Sequence, residues 1–128
     1  MANADLSSAT IGQASINVHD LDKAATFYRD TLGMRFLFQI PKMAFFDCGG
    51  LRLMLAVPEK PEFDHPSSVF YFKVGDIQAV ARTLESRGVK FEGAPHMIAR
   101  MPDHDLWMAF FRDADANLLA LMSEAPRG

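Results

Sequence analysis

The chain has 128 residues, 49% apolar and 23% charged, with a net charge of −3. That length suits one folded unit burying roughly two-thirds of its unfolded surface without disulfides, and the composition excludes a disordered or membrane-spanning chain. The acidic balance provides no cluster of Lys and Arg to displace phosphate counterions, so nucleic acid is not an expected partner.

The opening MANADLSSATIG lacks both a basic start and an apolar stretch long enough for a signal peptide, and Cys48 is the only cysteine. A reducing cytoplasm is the expected compartment. In IGQASINV, Ala14, Ile16 and Val18 alternate with Gln13, Ser15 and Asn17, which predicts a strand. It runs into VHDLDKAATFYRDTLGM, where Leu21, Ala24, Ala25, Tyr28 and Leu32 form one helical stripe between an Asp20 N-cap and Gly33. Three short β-rich runs follow, MRFLFQI, MAFFDCG and LRLMLAV, separated by Pro41-Lys42 and Gly49-Gly50.

The proline-rich stretch at about 58–66 reads as a linker, after which the pattern returns. SVFYFKV alternates Phe70, Phe72 and Val74 against Val69, Tyr71 and Lys73, and VGDIQAVARTLESRGVKF repeats the first helix. Val18, Asp20, Leu21, Ala24 and Ala25 recur 56 residues later as Val74, Asp76, Ile77, Val80 and Ala81, but Gly33 recurs after 55 as Gly88. One residue is lost inside the second copy. LWMAFFRD and LLALMS then repeat the last hairpin, about 11 residues later than the first half requires. This predicts an α+β fold of two tandem βαβββ modules, module 1 at about 11–57 and module 2 at about 67–123, in one domain spanning 1–128.

Three motifs, VHDLDKAATFYRDTLGM, the repeated V-G-D-I and FFRDADAN, together resemble the vicinal-oxygen-chelate superfamily of glyoxalases, bleomycin-resistance proteins, epimerases and extradiol dioxygenases. FFRDADAN resembles the family's FxDPDGN turn, with Ala114 and Ala116 standing for its Pro and Gly. The resemblance implies modules curled into a cup of mixed sheet and a homodimer. It also implies four metal ligands, which carry over onto Gln13, Met54, Val69 and Ala120. Only Gln13 offers a donor suited to a hard divalent cation. No metal and no cofactor are therefore expected.

The expected function is binding of a small, partly apolar ligand; the alternative is a lyase, isomerase or epimerase, or dioxygenase acting on a small oxygenated substrate. Gln13, Ser15, Asn17, Arg52, Met54, Val69, Tyr71 and Ala120 are the candidate lining, together with Trp107 and Phe110. The predicted inward face carries Arg52 and Lys73 and no Asp or Glu, which favours a neutral or anionic ligand. In LWMAFFRD, alternation sends Trp107, Ala109 and Phe111 to one face and Met108, Phe110 and Arg112 to the other, both apolar, so the core side is open. The segment 93–106 reads as a surface loop carrying His96 and His104, which with Tyr71 are the candidate acid/base groups. Cys48 has no neighbouring base to make it a nucleophile.

Overall fold

The computed structural model describes residues 4–126. Strand β1 (Gln13–Asn17) leads into helix α1 (Leu21–Thr26), which continues as a wider π-helical turn at Phe27–Thr31. Strands β2 (Arg35–Ile40), β3 (Met43–Cys48) and β4 (Leu51–Ala56) complete module 1. A short 3₁₀ turn at Pro61–Phe63 lies in the linker. Module 2 comprises β5 (Phe70–Lys73), α2 (Ile77–Ser86), β6 (His96–Arg100), β7 (His104–Arg112) and β8 (Leu118–Pro126). Each module forms a four-stranded mixed sheet, ordered β1-β4-β3-β2 and β5-β8-β7-β6, in which only the β1–β4 and β5–β8 pairs are parallel. No described helix is long and apolar enough to cross a membrane.

The π-helical turn is the structural form of the residue by which the two copies differ. In module 2, Val89 N–H donates to Leu84 O and Gly88 N–H to Glu85 O, a Schellman closure with Gly88 at φ 92°. In module 1, Leu32 N–H reaches back five residues to Phe27 O, and Met34 N–H reaches six to Tyr28 O. A single inserted residue is absorbed by widening the last turn, while Gly33, at φ 76°, still ends the helix. Both helices start alike: Asp20 and Asp76 carboxylates accept from the N–H of Lys23 and Ala79.

The helix-facing sides of both sheets contribute to one core. Ile16, Val18, Ala24, Ala25, Tyr28, Phe46, Leu53 and Leu55 of module 1 join Ile77, Ala81, Leu84, Ala109, Phe111, Leu119 and Leu121 of module 2. Each such Leu, Ile or Phe contributes about 1.5–3 kcal/mol by leaving water. The open choice on β7 is thereby made, with Ala109 and Phe111 at 1% exposure facing inward.

The two sequence signatures meet in this core. Tyr28 of the FY pair donates its hydroxyl to Asp113 Oδ2 at 2.6 Å, and Asp113 Oδ1 accepts from the N–H groups of Asp115 and Asn117. Burial, then the charge of Asp113, pushes the Tyr28 phenol far above its ordinary pKa. Ala116 adopts φ 64° where the family turn has glycine, so the left-handed turn persists without the residue that suits it.

The segment 93–106 corrects the sequence reading. It is mostly strand: β6 and the start of β7 extend the second sheet, and His96 and His104 lie on those strands. A bulge between Met97 and Ala99 adjusts the pairing, which explains why MIAR shows no clean alternation.

Candidate functional site

With the helix-facing sides committed to the core, the outward faces remain. Cross-strand register on module 1 sets out three rows. Gln13, Arg52, Asp47 and Arg35 form the first; Ser15, Met54, Phe45 and Phe38 the second; Asn17, Ala56, Met43 and Ile40 the third. In the middle row Phe38 and Phe45 stack at 4.5 Å between centroids, 26° from parallel, and the Arg52 guanidinium lies 6.0 Å from the Phe45 ring centroid. Phe38 is 45% exposed while Phe45, beneath this cover, is 7% exposed. Gln13 Nε2 lies 3.8 Å from Met54 Sδ.

On module 2 the corresponding rows are Tyr71, Ala120 and Phe110, then Lys73, Met122, Met108 and His96. Tyr71 meets Phe110 edge to face at 6.0 Å. Lys73 Nζ pairs with Glu124 at 2.7 Å, and His104 Nε2 lies 3.7 Å from the same carboxylate. The Lys73 ammonium lowers the Glu124 pKa.

The structure thus brings Gln13, Ser15, Arg52 and Met54 together on one face, and Tyr71, Phe110, His96 and His104 on another. Four residues do not offer a free side chain on these faces. Trp107 points to the opposite side from Phe110, against the core and beside Ser123 and the start of α2, because β7 alternation had already committed Phe111 inward. Val69 precedes β5 and lines a groove between the modules. Ala120 is fully buried beneath Tyr71 and Phe110. Asn17 is occupied in tying down the linker: its Nδ2 donates to Phe63 O and His65 O, its N–H to Ser67 Oγ, and its O accepts from Asn117 Nδ2.

The charge reading also needs correction. Acids do stand on these faces: Glu124 takes up the Lys73 charge, and Asp47 lies in register with Arg52 and Arg35. Sequence reasoning missed Phe38, Phe45, Asp47 and Arg35. The repeat held one available signal, since Phe45 occupies on β3 the place that Phe110 takes on β7.

A groove of about 460 Å³ runs between the modules along the linker. Here His19 bridges Asp64, at 2.9 Å from Nε2, and Asp115, at 3.4 Å from Nδ1. The hydrogen bond to Asp64, then that carboxylate's charge, raises the His19 pKa, which suits an ionic tether better than a base. A smaller apolar cavity of about 200 Å³ between the modules includes Cys48, whose thiol pKa is raised by burial and by Asp47.

The metal positions implied by the family resemblance supply one amide, one thioether, one isopropyl and one methyl group, from Gln13, Met54, Val69 and Ala120. This set does not fit a hard divalent cation, which needs three or more N or O donors. Among the described residues no group of three or more His, Cys, Asp or Glu has metal-holding geometry.

The family model for the glyoxalase/bleomycin resistance protein/dioxygenase superfamily matches residues 10–121. The uncharacterized protein YraH of Bacillus subtilis is 29% identical over 126 residues, covering 85% of this chain and 94% of its own. A superfamily member from Sphaerobacter thermophilus superposes with TM-score 0.74 at 27% identity, over 91% of this chain and 98% of that one. A lactoylglutathione lyase from Agrobacterium tumefaciens shares the fold, with TM-score 0.71 at 22% identity over 91% and 95% of the two chains. The extent of the family match, together with the paired βαβββ modules, shows that the chain belongs to the glyoxalase/bleomycin resistance protein/dioxygenase superfamily.

Proposed function

We propose that the protein binds a small, partly apolar organic molecule on the outward face of module 1, without the family's metal. The observation that carries this is the donor set: three of the four inherited positions, Met54, Val69 and Ala120, offer no nitrogen or oxygen side-chain atom. The face retains what a small-molecule site requires, a few polar groups around an aromatic floor. Leu37 on β2 and Met97 and Ile98 on β6 leave apolar surface exposed on the edge strands of the two sheets, away from the Arg52 row, which supports a homodimer whose second copy covers these edges. The lone Cys48 supports a reducing, cytoplasmic setting.

Elemental analysis of protein purified without chelators, combined with calorimetric titration of small aromatic compounds, tests this reading. Substoichiometric metal with saturable uptake is expected. Stoichiometric Fe, Ni, Mn or Zn would overturn it.

One observation favours a second reading, a metal-independent lyase, isomerase or epimerase. Tyr71, His96 and His104 share the outward face of module 2 with the ionised Glu124. Its test is turnover of a small oxygenated substrate that EDTA leaves intact and His104→Ala abolishes.

A further inference from the structure

The outward faces of the two modules differ in one chemical respect, the availability of a guanidinium. Arg112, on module 2, donates from Nε to Glu92 at 2.8 Å and from Nη1 to Ala116 O at 3.1 Å. Arg29 and Arg100 likewise face Asp30 and Asp105. Among the described residues Arg52 has no such partner, and its guanidinium lies over the Phe45 ring. Its cross-strand neighbour Asp47 lies in register but forms no ion pair with it, and Arg35, at the far end of that row, adds a second cation. Leu118 takes the place of Arg52 in module 2, so the feature belongs to module 1 alone.

Beside this guanidinium lies the stacked pair Phe38 and Phe45, with Met54 next to Phe45 and Ser15 beyond it along the same row. Gln13 stands directly across from Arg52 and carries an amide N–H₂ within the same row. A planar guanidinium presents parallel N–H donors that match a carboxylate. An exposed ring stacked on a buried one and flanked by a thioether offers dispersion and edge contacts to a flat ring.

We infer that the ligand is an aromatic monocarboxylate, its ring lying on Phe38 and Met54 and its carboxylate held by Arg52 with Gln13. This rests on the binding reading above and names its ligand class. Charge complementarity selects the acid: the first row carries two cations against one anion, whereas on module 2 Lys73 and Arg112 are already paired.

The test is calorimetric and NMR titration of the full chain with benzoate, phenylacetate, 1-naphthoate and indole-3-acetate. Phenylacetamide and phenethylamine serve as neutral and cationic counterparts. At least one acid is expected to saturate, while the amide and the amine bind at least tenfold more weakly. Arg52→Gln should weaken the acid by about tenfold to a hundredfold, the worth of a charge-assisted pair. Arg52→Lys, keeping charge without the planar fork, should fall between, and Phe38→Ala should weaken acid and amide together. Both side chains are exposed, so unchanged circular dichroism is expected to accompany these losses.

Equal uptake of acid and amide, unmoved by Arg52→Gln, would overturn the ligand class while leaving the binding reading standing. Failure of all six compounds at millimolar concentration would overturn the inference, and stoichiometric metal in the same sample would overturn the binding reading as well. Concentration-dependent self-association lost in Phe38→Ala, with no uptake of any acid, would assign the face to a second copy and overturn the inference.

Discussion

Modules 1 and 2 share a fold and a strand order, yet they have settled their charges and turns differently. Module 1 leaves the Arg52 guanidinium over an aromatic ring and keeps an exposed Phe38 stacked on the buried Phe45. Module 2 pairs Lys73 with Glu124 and Arg112 with Glu92, and it extends its last two strands. Repetition preserved the packing face, where a mismatch would open a cavity in the shared core, and released the outward face, where substitution costs little. Divergence of the outward faces therefore marks where a module is free to change its chemistry without loss of packing.

The largest effect is expected where the modules are joined by a contact that the repeat does not duplicate. Leu84 occupies the place of Tyr28 in the second copy, so the buried hydrogen bond to Asp113 exists once. Asp113→Ala removes the acceptor of four donors: the Tyr28 hydroxyl, the Asp115 and Asn117 N–H groups and Asn117 Nδ2. The expected cost is about 3 kcal/mol, which lowers Tm by about 10 °C for a chain of this size. Tyr28→Phe should cost about half as much, because the carboxylate keeps its other partners. A differential melt of the two variants within 1 °C of wild type would refute this joint.

A smaller effect separates the matched turns. Gly50, at φ 92°, and Ala116, at φ 64°, hold the corresponding left-handed position. Ala116→Gly should stabilise by about 1 kcal/mol and Gly50→Ala should destabilise by at least that much, since a Cβ strains this region. Denaturant midpoints measure both. Shifts of the same sign would break the equivalence of the turns.

The smallest effect belongs to the tether between linker and module 2. Because Asp64 and Asp115 raise the His19 pKa, the tether's contribution is complete below the ordinary imidazole value of about 6.5 and disappears as pH rises through the higher folded value. The stability difference between wild type and His19→Gln should therefore shrink from pH 6 to pH 9. A difference that grows with pH would exclude the ion pair. Both side chains of the His19–Asp64 pair are well exposed, which keeps the effect small.

Much of the fold was legible in the sequence, because it rests on periodicity. The alternation of Ala14, Ile16 and Val18 against Gln13 and Ser15, and the stripe from Leu21 to Leu32, each point one way. Even the one-residue offset between copies was visible, although its form as a wider helical turn was not. The candidate site was legible in part. Gln13, Ser15, Arg52 and Met54 follow from strand parity, whereas Phe45 stands in a run with Phe46, and two adjacent aromatics leave parity undecided. Trp107 was misplaced for the same reason, since β7 is apolar on both sides.

By itself the sequence determined the two modules and their shared fold family, because those depend on local pattern and residue chemistry. Tertiary structure alone decided which face of β7 is core, that Tyr28 and Asp113 meet, that Glu124 and Glu92 neutralise Lys73 and Arg112, and that Arg52 pairs with no acid among the described residues. Each of these is a pairing across strands or between modules, set by register and by which surfaces compete for the core, and neither is encoded in any single segment.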